Sequence, residues 1–179
     1  MKERSADGGM SKTVDLNSLT TRELLALHGG TLAELRVRGV VRTANGPAGD
    51  YAEALVAKAL DGTLAPNSEK SWDVVLADGT RLQVKSRVIS NPERPGQRQL
   101  SPFRSWGFDS LVIVLFNSDY TVAEAVRLPA DIARASASYR SHVNGHILQA
   151  RPALMRSGLD LQPLLNQEES GEGPGTRFA

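Results

Sequence analysis

The stretch Trp72-Asp-Val-Val-Leu-Ala-Asp-Gly-Thr-Arg-Leu-Gln-Val-Lys85 decides how this chain is interpreted. Two short apolar runs flank an Asp-Gly turn signal at 78–79, which is typical of a β-hairpin. Strand side chains alternate between two faces, so Gln83 and Lys85 project to one side and Val84 to the other. Burying an isolated ammonium group is energetically costly, so a lysine such as Lys85 in a core strand indicates a functional role.

The length of the hairpin loop decides which residue lies opposite Gln83. A two-residue loop at 78–79 would place Val74 opposite Gln83 and leave Asp73 on the other face. A three-residue loop over 77–79, with its glycine in the left-handed region, places Asp73 opposite Gln83. We predict the three-residue loop or a compensating bulge, because only then do the acid and the amide share a face.

These residues suit metal-dependent chemistry on a phosphodiester. Hydrolysis requires neutralised phosphate charge and a hydroxide near neutral pH, and a hard divalent cation supplies both. Asp73 can offer a carboxylate oxygen and Gln83 a neutral carbonyl oxygen, while Lys85 can hold the water or stabilise the phosphate. Glu53, on a helix predicted upstream, is the best candidate for a second acid, and Asp50 is its substitute.

Composition limits the class of protein. The 179 residues give room for one domain, and 40% hydrophobic and 23% charged residues are typical of a soluble globular protein. The absence of cysteine excludes a disulfide framework and a thiolate metal site. The sequence has no apolar run that could span a bilayer and no signal peptide, so we expect a cytoplasmic protein without membrane contact.

The charge distribution is more informative than the net charge of +1. Between positions 85 and 104 the cations outnumber the acids, which makes this segment basic. Its candidate contacts to phosphates are Arg87, Arg94, Arg98 and Arg104. The end of the chain is acidic from position 166 onward.

Periodicity and turn signals predict one sheet with helices packed against it. We expect residues 1–18 to be disordered, 19–165 to form a single domain, and 166–179 to be a disordered acidic tail. The predicted helices cover 20–38, 51–60, 129–137 and 152–155. The predicted strands cover 72–77, 80–89, 108–116, 121–128 and 147–150, with a long loop over 90–107 that has room for one helical turn.

The pattern Asp73…Gln83-Val84-Lys85, preceded by Gly49-Asp-Tyr-Ala-Glu53 on a helix, resembles the PD-(D/E)XK nuclease superfamily. It is most similar to Mrr-like endonucleases, where Gln replaces the acid before the lysine, and its Gly-x-x-x-Glu helix resembles that of Holliday-junction resolvases. The resemblance covers roughly residues 45 to 130. It implies a restriction-endonuclease-like α/β fold, with a mixed sheet of about four to five strands flanked by helices, and Mg²⁺- or Mn²⁺-dependent cleavage of DNA.

Carried over residue by residue, the resemblance implies that Glu53, Asp73 and Gln83 hold the metal and that Lys85 assists the water. Two positions depart from the family pattern: Trp72 stands where a proline usually precedes the acid, and Gln83 replaces the second acid. The resemblance is also compatible with a homodimer, since restriction-like nucleases commonly dimerise to cut both strands.

Two alternatives remain open on the sequence alone. The same fold could bind nucleic acid without cutting it, which predicts salt-sensitive DNA binding and no cleavage. The chain could instead be a protein-interaction domain, in which Asp73 and Lys85 form a direct ion pair on a closed surface.

Overall fold

The computed structural model describes residues 14–42, 46–66, 68–69, 71–89, 93 and 96–170. The helices are α1 (Thr21–Val37), α2 (Ala48–Ala59), α3 (Ala130–Ala135), α4 (Pro152–Met155) and α5 (Gln162–Ser170). The strands are β1 (Thr63–Leu64), β2 (Val74–Val75), β3 (Arg81–Val88), β4 (Ser110–Phe116), β5 (Val122–Pro129), β6 (Ser138–Arg140), β7 (Gly145–Ile147) and β8 (Leu159–Asp160).

A six-stranded mixed sheet, in the order β1-β2-β3-β4-β5-β8, organises the chain, and β6 and β7 form a separate ribbon. The first three strands are an antiparallel meander, β4 runs parallel to β3, and β5 and β8 follow antiparallel. The α/β expectation is therefore met, with more strands than the sequence predicted. A parallel pair needs a crossover, and residues 89–109 supply it.

Strand β4 is the centre of the core, since every one of its residues is buried. Its alternate side chains enter two apolar clusters on opposite faces of the sheet. One cluster lies under α2 and α5 and includes Leu82 and Val84 of β3. The other lies under the crossover and includes Leu100 and Phe103. The crossover thus covers one face of the sheet, although its described part contains no helix, contrary to the helical turn allowed for there.

Helix α2 forms as predicted from its apolar spacing and buries Leu55 and Val56. It ends where Asp61 takes a positive φ of 49° and Gly62 follows. A Cβ at Gly62 would lie 2.7 Å from a methyl group of Val74, so only glycine fits this close approach to β2. The tight ending fixes how α2 lies against the hairpin.

Helix α1 begins at the predicted capping box, in which Thr20 and Glu23 cap each other. Gly29 and Gly30 do not split it. None of its side chains that the structure describes is buried, and Leu25 remains 67% exposed. The helix prediction is confirmed, but α1 adds nothing to the core. No helix in the described part of the chain is long and apolar enough to cross a membrane.

The predicted tail over 166–179 needs correction, because α5 continues through Ser170. Leu165 is fully buried, and the acids after it are engaged. Glu168 forms a 3.1 Å salt bridge with Lys58, and Glu169 accepts a 3.2 Å hydrogen bond from the Tyr51 hydroxyl. Acidic composition suggested disorder, but these partners on α2 order the segment. Residues 171–179 lie outside the described chain.

Other boundaries also differ from the predictions. Residues 16–18 of the predicted disordered leader form a 3-10 turn, and 1–13 lie outside the described residues. The strand predicted over 147–150 is instead β7, which pairs with β6. Strands β1, β6 and β8 were not predicted, because two or three residues give no periodicity to detect.

Candidate active site

The hairpin loop has the predicted three-residue form. The Leu76 N–H donates to the Thr80 carbonyl at 2.9 Å, and the Gly79 N–H donates to the Leu76 carbonyl at 2.9 Å. Gly79 has a φ of 85°, in the left-handed region that favours glycine. Val74 pairs with Leu82, so the preceding residue lies opposite Gln83. The prediction is confirmed.

The Asp73 carboxylate is fixed by the hairpin itself. It accepts a 2.6 Å hydrogen bond from the Val84 backbone N–H and a further hydrogen bond from the Gln83 side-chain amide. The Asp73 N–H donates to the Leu82 carbonyl at 2.8 Å, which continues the strand pairing. The carboxylate therefore accepts from the backbone N–H of Val84, which lies beyond the point where β2 pairs with β3.

The site exists because β3 is much longer than β2. Pairing with β2 covers Arg81 and Leu82, whereas β3 continues to Val88. Beyond Val84, β3 has one free edge among the described residues. Gln83 and Lys85 project to the crossover face, while α2 packs on the opposite face. The free edge lets a side chain from α2 reach around the strand to the other face.

Glu53 is the α2 side chain that lies at this edge. The Ser86 hydroxyl donates to the Ala48 carbonyl at 2.9 Å and ties the start of α2 to β3. A cavity of about 480 Å³ opens beside this tie and is lined by Glu53, Lys85 and Ser101, among others. The predicted second acid and the predicted lysine thus share one cavity.

A second cavity, of about 400 Å³, lies on the crossover face and also contains Lys85. Asp73, Gln83, Phe103 and Arg104 line it. Lys85 borders both cavities, and we call the two cavities together the edge cleft. The structure brings the four predicted residues together in it: Glu53, Asp73, Gln83 and Lys85.

Lys85 is half-buried, and its ammonium lies over the Phe103 ring at 5.3 Å from the ring centroid. Burial lowers its pKa, and the negative charges of Asp73 and Glu53 oppose that shift. Among the described residues, Lys85 takes part in no salt bridge. Phe103 stacks on Trp106 at 5.0 Å, so the aromatic surface under the ammonium is rigidly supported.

Glu53 has the most altered acidity in the cleft. Burial and the nearby charge of Asp73 raise the pKa of Glu53 to about 7, although Arg42 acts in the opposite direction. The pKa of Asp73 is raised too, again chiefly by burial. Two carboxyls that both resist ionisation lie close together, which is common at functional sites.

Arg42 contacts the cleft through Glu53, although the sequence analysis did not single it out. Its guanidinium bonds the Glu53 carboxylate and donates to the Ala65 carbonyl at 2.8 Å. Its backbone N–H donates to Asp50 at 2.6 Å, so the substitute acid holds Arg42 in place. The pairing joins residues eleven apart, a spacing that no helix or strand period predicts.

The donor set of the cleft fits a hard divalent cation. Carboxylate and amide oxygens suit Mg²⁺ or Mn²⁺, and Asp73, Glu53 and Gln83 present them. Gln83 directs its amide N–H to Asp73, which leaves its carbonyl oxygen for another partner. The described residues include no group of three or more acidic or histidine side chains that could hold a metal ion, so any metal here would rely on two carboxylates and the amide.

The predicted phosphate contacts divide into two groups. Arg87 and Arg104 are exposed and line the two cavities of the cleft. Arg98 is held by Glu93, Glu124 and the Ala150 carbonyl, and its contact with phosphates stays a prediction. Arg94 lies outside the described residues.

No protein-family model matches the chain, and no curated protein matches it significantly.

Proposed function

We propose that this protein is a divalent-metal-dependent endonuclease that hydrolyses phosphodiester bonds of DNA on a restriction-endonuclease-like fold. The observation that carries the proposal is the convergence of Glu53, Asp73, Gln83 and Lys85 in one open cleft at the free edge of β3. Asp73 and Gln83 come from the hairpin, whereas Glu53 reaches them from the other face of the sheet.

The topology supports the proposal. A helix, a three-stranded antiparallel meander and a fourth strand parallel to the third follow one another in α2, β1, β2, β3 and β4. The resemblance to PD-(D/E)XK nucleases implied a mixed sheet flanked by helices, and these elements belong to such a sheet. The crossover between β3 and β4 forms one wall of the cleft, where loop residues could contact a substrate.

Each residue of the cleft has a distinct role in the proposal. Asp73, Glu53 and Gln83 hold the metal, which when bound neutralises phosphate charge and acidifies water. The main-chain bond from Val84 fixes the Asp73 oxygens in advance. Lys85 donates hydrogen bonds to the attacking water and to a phosphate oxygen, since its ammonium is not taken by a salt bridge in the described chain.

The decisive experiment is nicking of supercoiled plasmid by the full chain with Mg²⁺ or Mn²⁺. We expect Lys85→Ala to abolish nicking, because it removes the donor at the centre of the cleft. Lys58→Ala is the matched control: it removes the same charge from α2, where Lys58 pairs with Glu168. Equal nicking by the native protein and Lys85→Ala would overturn the proposal, as would no cleavage by the native protein with either metal.

A second candidate is a DNA-binding module of the same fold that does not cut. The observation favouring it is the charge balance of the cleft, because Gln83 replaces an acid and Arg42 already bonds Glu53. It predicts salt-sensitive binding without nicking under any metal condition. The protein-interaction alternative is less well supported, since Asp73 and Lys85 form no salt bridge and the surface around them is open.

A further inference from the structure

A second polar depression lies on the crossover side, next to the edge cleft. Its volume is about 600 Å³, and we call it the arginine groove after Arg140 and Arg151. Arg140 ends β6, and Arg151 precedes α4 as its N-cap. Two separate elements therefore place an arginine each at the same groove.

The two arginines of the groove are exposed and available. Neither forms a salt bridge within the described residues, and none of the residues lining the groove is acidic. Arg98, close to them in the fold, is held by Glu93 and Glu124. Unpaired guanidiniums fit phosphate oxygens through parallel N–H donors.

The remaining lining is rich in uncharged hydrogen-bonding groups. Gln149 donates to the Gln99 side chain at 3.1 Å, which orders one wall. Ser138 and His142 line it as well. Amides and hydroxyls are the usual companions of arginine at phosphate contacts that do not read bases.

The groove adjoins the edge cleft through one short segment of the crossover. Gln99 lines the groove, and Ser101, two residues later, lines the cleft. Two residues of extended chain span at most about 7 Å. Arg87, which lines the cleft, donates to the Gln99 carbonyl at 2.6 Å, so the boundary between the two is fixed. Positively charged side chains therefore line both the cleft and the adjoining groove.

We propose that the arginine groove binds backbone phosphates of the DNA whose scissile bond lies in the edge cleft. This inference rests on the proposed function. It adds that the groove holds the part of the DNA duplex next to the scissile bond. The contacts are to phosphates, so binding here is independent of sequence and falls with salt. The substrate then lies across the crossover, with the cleft on one side and the groove on the other.

The test is DNA binding measured without metal, which separates it from catalysis. Fluorescence anisotropy follows a labelled duplex of about 30 base pairs, or three helical turns, with the full chain in EDTA. The test variant is Arg140→Gln/Arg151→Gln. Its control, Arg134→Gln/Arg156→Gln, removes the same charge at two exposed arginines that do not line the groove.

We expect the groove variant to bind about tenfold more weakly or worse, with a slope of log affinity against log salt that is smaller by about two. The control should bind within about twofold of the native protein. Circular dichroism and thermal unfolding should be unchanged in both, because all four side chains are exposed.

The outcomes separate the two proposals. If the native protein nicks plasmid but the groove variant binds with native affinity and slope, the groove inference is overturned and the proposed function stands. If the groove variant loses binding but the native protein never cuts, the groove stands and the endonuclease fails. No binding of DNA by the native protein, or a preference for RNA duplex that the same variant removes, overturns the groove inference.

Discussion

Two carboxylate–arginine pairs in this molecule behave in opposite ways. Asp109 accepts hydrogen bonds from Arg81 at 3.0 Å on the surface, and this partner lowers its pKa to about 2. Glu53 bonds Arg42 in the cleft, yet its pKa rises to about 7. The Asp109 side chain is 45% exposed and that of Glu53 is 16% exposed. Both arginines lower the pKa of their partner acid, but at Glu53 burial and the nearby charge of Asp73 outweigh that effect.

The two aspartates of the hairpin extend the same contrast. Asp73 is buried, and burial raises its pKa. Asp78 is exposed in the loop, and hydrogen bonds from Thr80 lower its pKa. Acids of the cleft thus carry an energetic penalty that acids of the surface do not. Such a penalty is expected where buried carboxylates bind a cation, because they do not stabilise the fold in its absence.

The largest effect should come from Asp73→Asn. We expect it to reduce plasmid nicking at least ~1000-fold, because it removes a metal-binding charge while keeping the side-chain shape. Asp78→Asn, in the same hairpin, should nick within about twofold of the native protein. Comparable losses in both variants would show that the contrast between cleft and surface acids has no functional meaning.

The next effect concerns the pH dependence of stability without metal. The folded pKa of Glu53 lies above its unfolded value, so the folded state binds more protons between about pH 4.5 and 7 and loses stability as pH rises through that window. The loss should amount to about 3 kcal/mol. Urea unfolding of the native protein and of Glu53→Gln at several pH values measures it. The slope should be smaller in the variant by this amount, and what is left comes from Asp73, whose pKa burial also raises.

Asp109 supplies the control with the opposite sign. Its folded pKa lies below the unfolded value, so its contribution is present above about pH 4 and is lost as pH falls toward 2. Asp109→Asn should leave the slope between about pH 4.5 and 7 unchanged. An equal slope in the native protein and in Glu53→Gln would contradict the assignment to Glu53.

A third effect compares the two arginines. Arg42→Met leaves a buried carboxylate without its cation, so we expect the free energy of unfolding to fall by about 2 kcal/mol near pH 8. Near pH 5, where Glu53 is protonated, the loss should be smaller. Arg81→Met should cost less than about 1 kcal/mol, because its partner is exposed. Equal losses in urea unfolding would mean that burial does not distinguish the pairs.

The smallest effect is stabilisation by metal. Mg²⁺ at about ten times its dissociation constant should add about 1.4 kcal/mol near pH 8, seen as a higher Tm. Asp73→Asn should abolish the increase, whereas Asp109→Asn should retain it, because Asp109 pairs with Arg81 outside the cleft. An increase that persists in Asp73→Asn would place the metal elsewhere.

The hairpin could be predicted from sequence because its determinants are local. Alternation, an Asp-Gly turn and one glycine at positive φ fix the register that sets Asp73 against Gln83. Lys85 followed from the same alternation. Helix α2 was also predictable, since its apolar spacing and its Asp61-Gly62 ending lie within one segment.

The rest depended on contacts that no local pattern encodes. Glu53 was chosen correctly as an acid near the hairpin, but α2 packs on the face opposite Gln83, and only the shortness of β2 lets the two meet. Arg42 reaches Glu53 from a turn, and Arg98 is taken by acids brought by other segments. The order of α5 likewise depends on Lys58 and Tyr51, which precede it by about a hundred residues.

The free edge of β3 also bears on solubility. An unpaired strand edge is a template for another chain, and proteins commonly protect such edges with charged side chains. Lys85 and Arg87 occupy this edge, beside Glu53. The charges proposed to serve the substrate would therefore also oppose edge-to-edge association of two copies. Replacing both Lys85 and Arg87 with uncharged residues should lower the protein concentration at which the folded protein begins to associate.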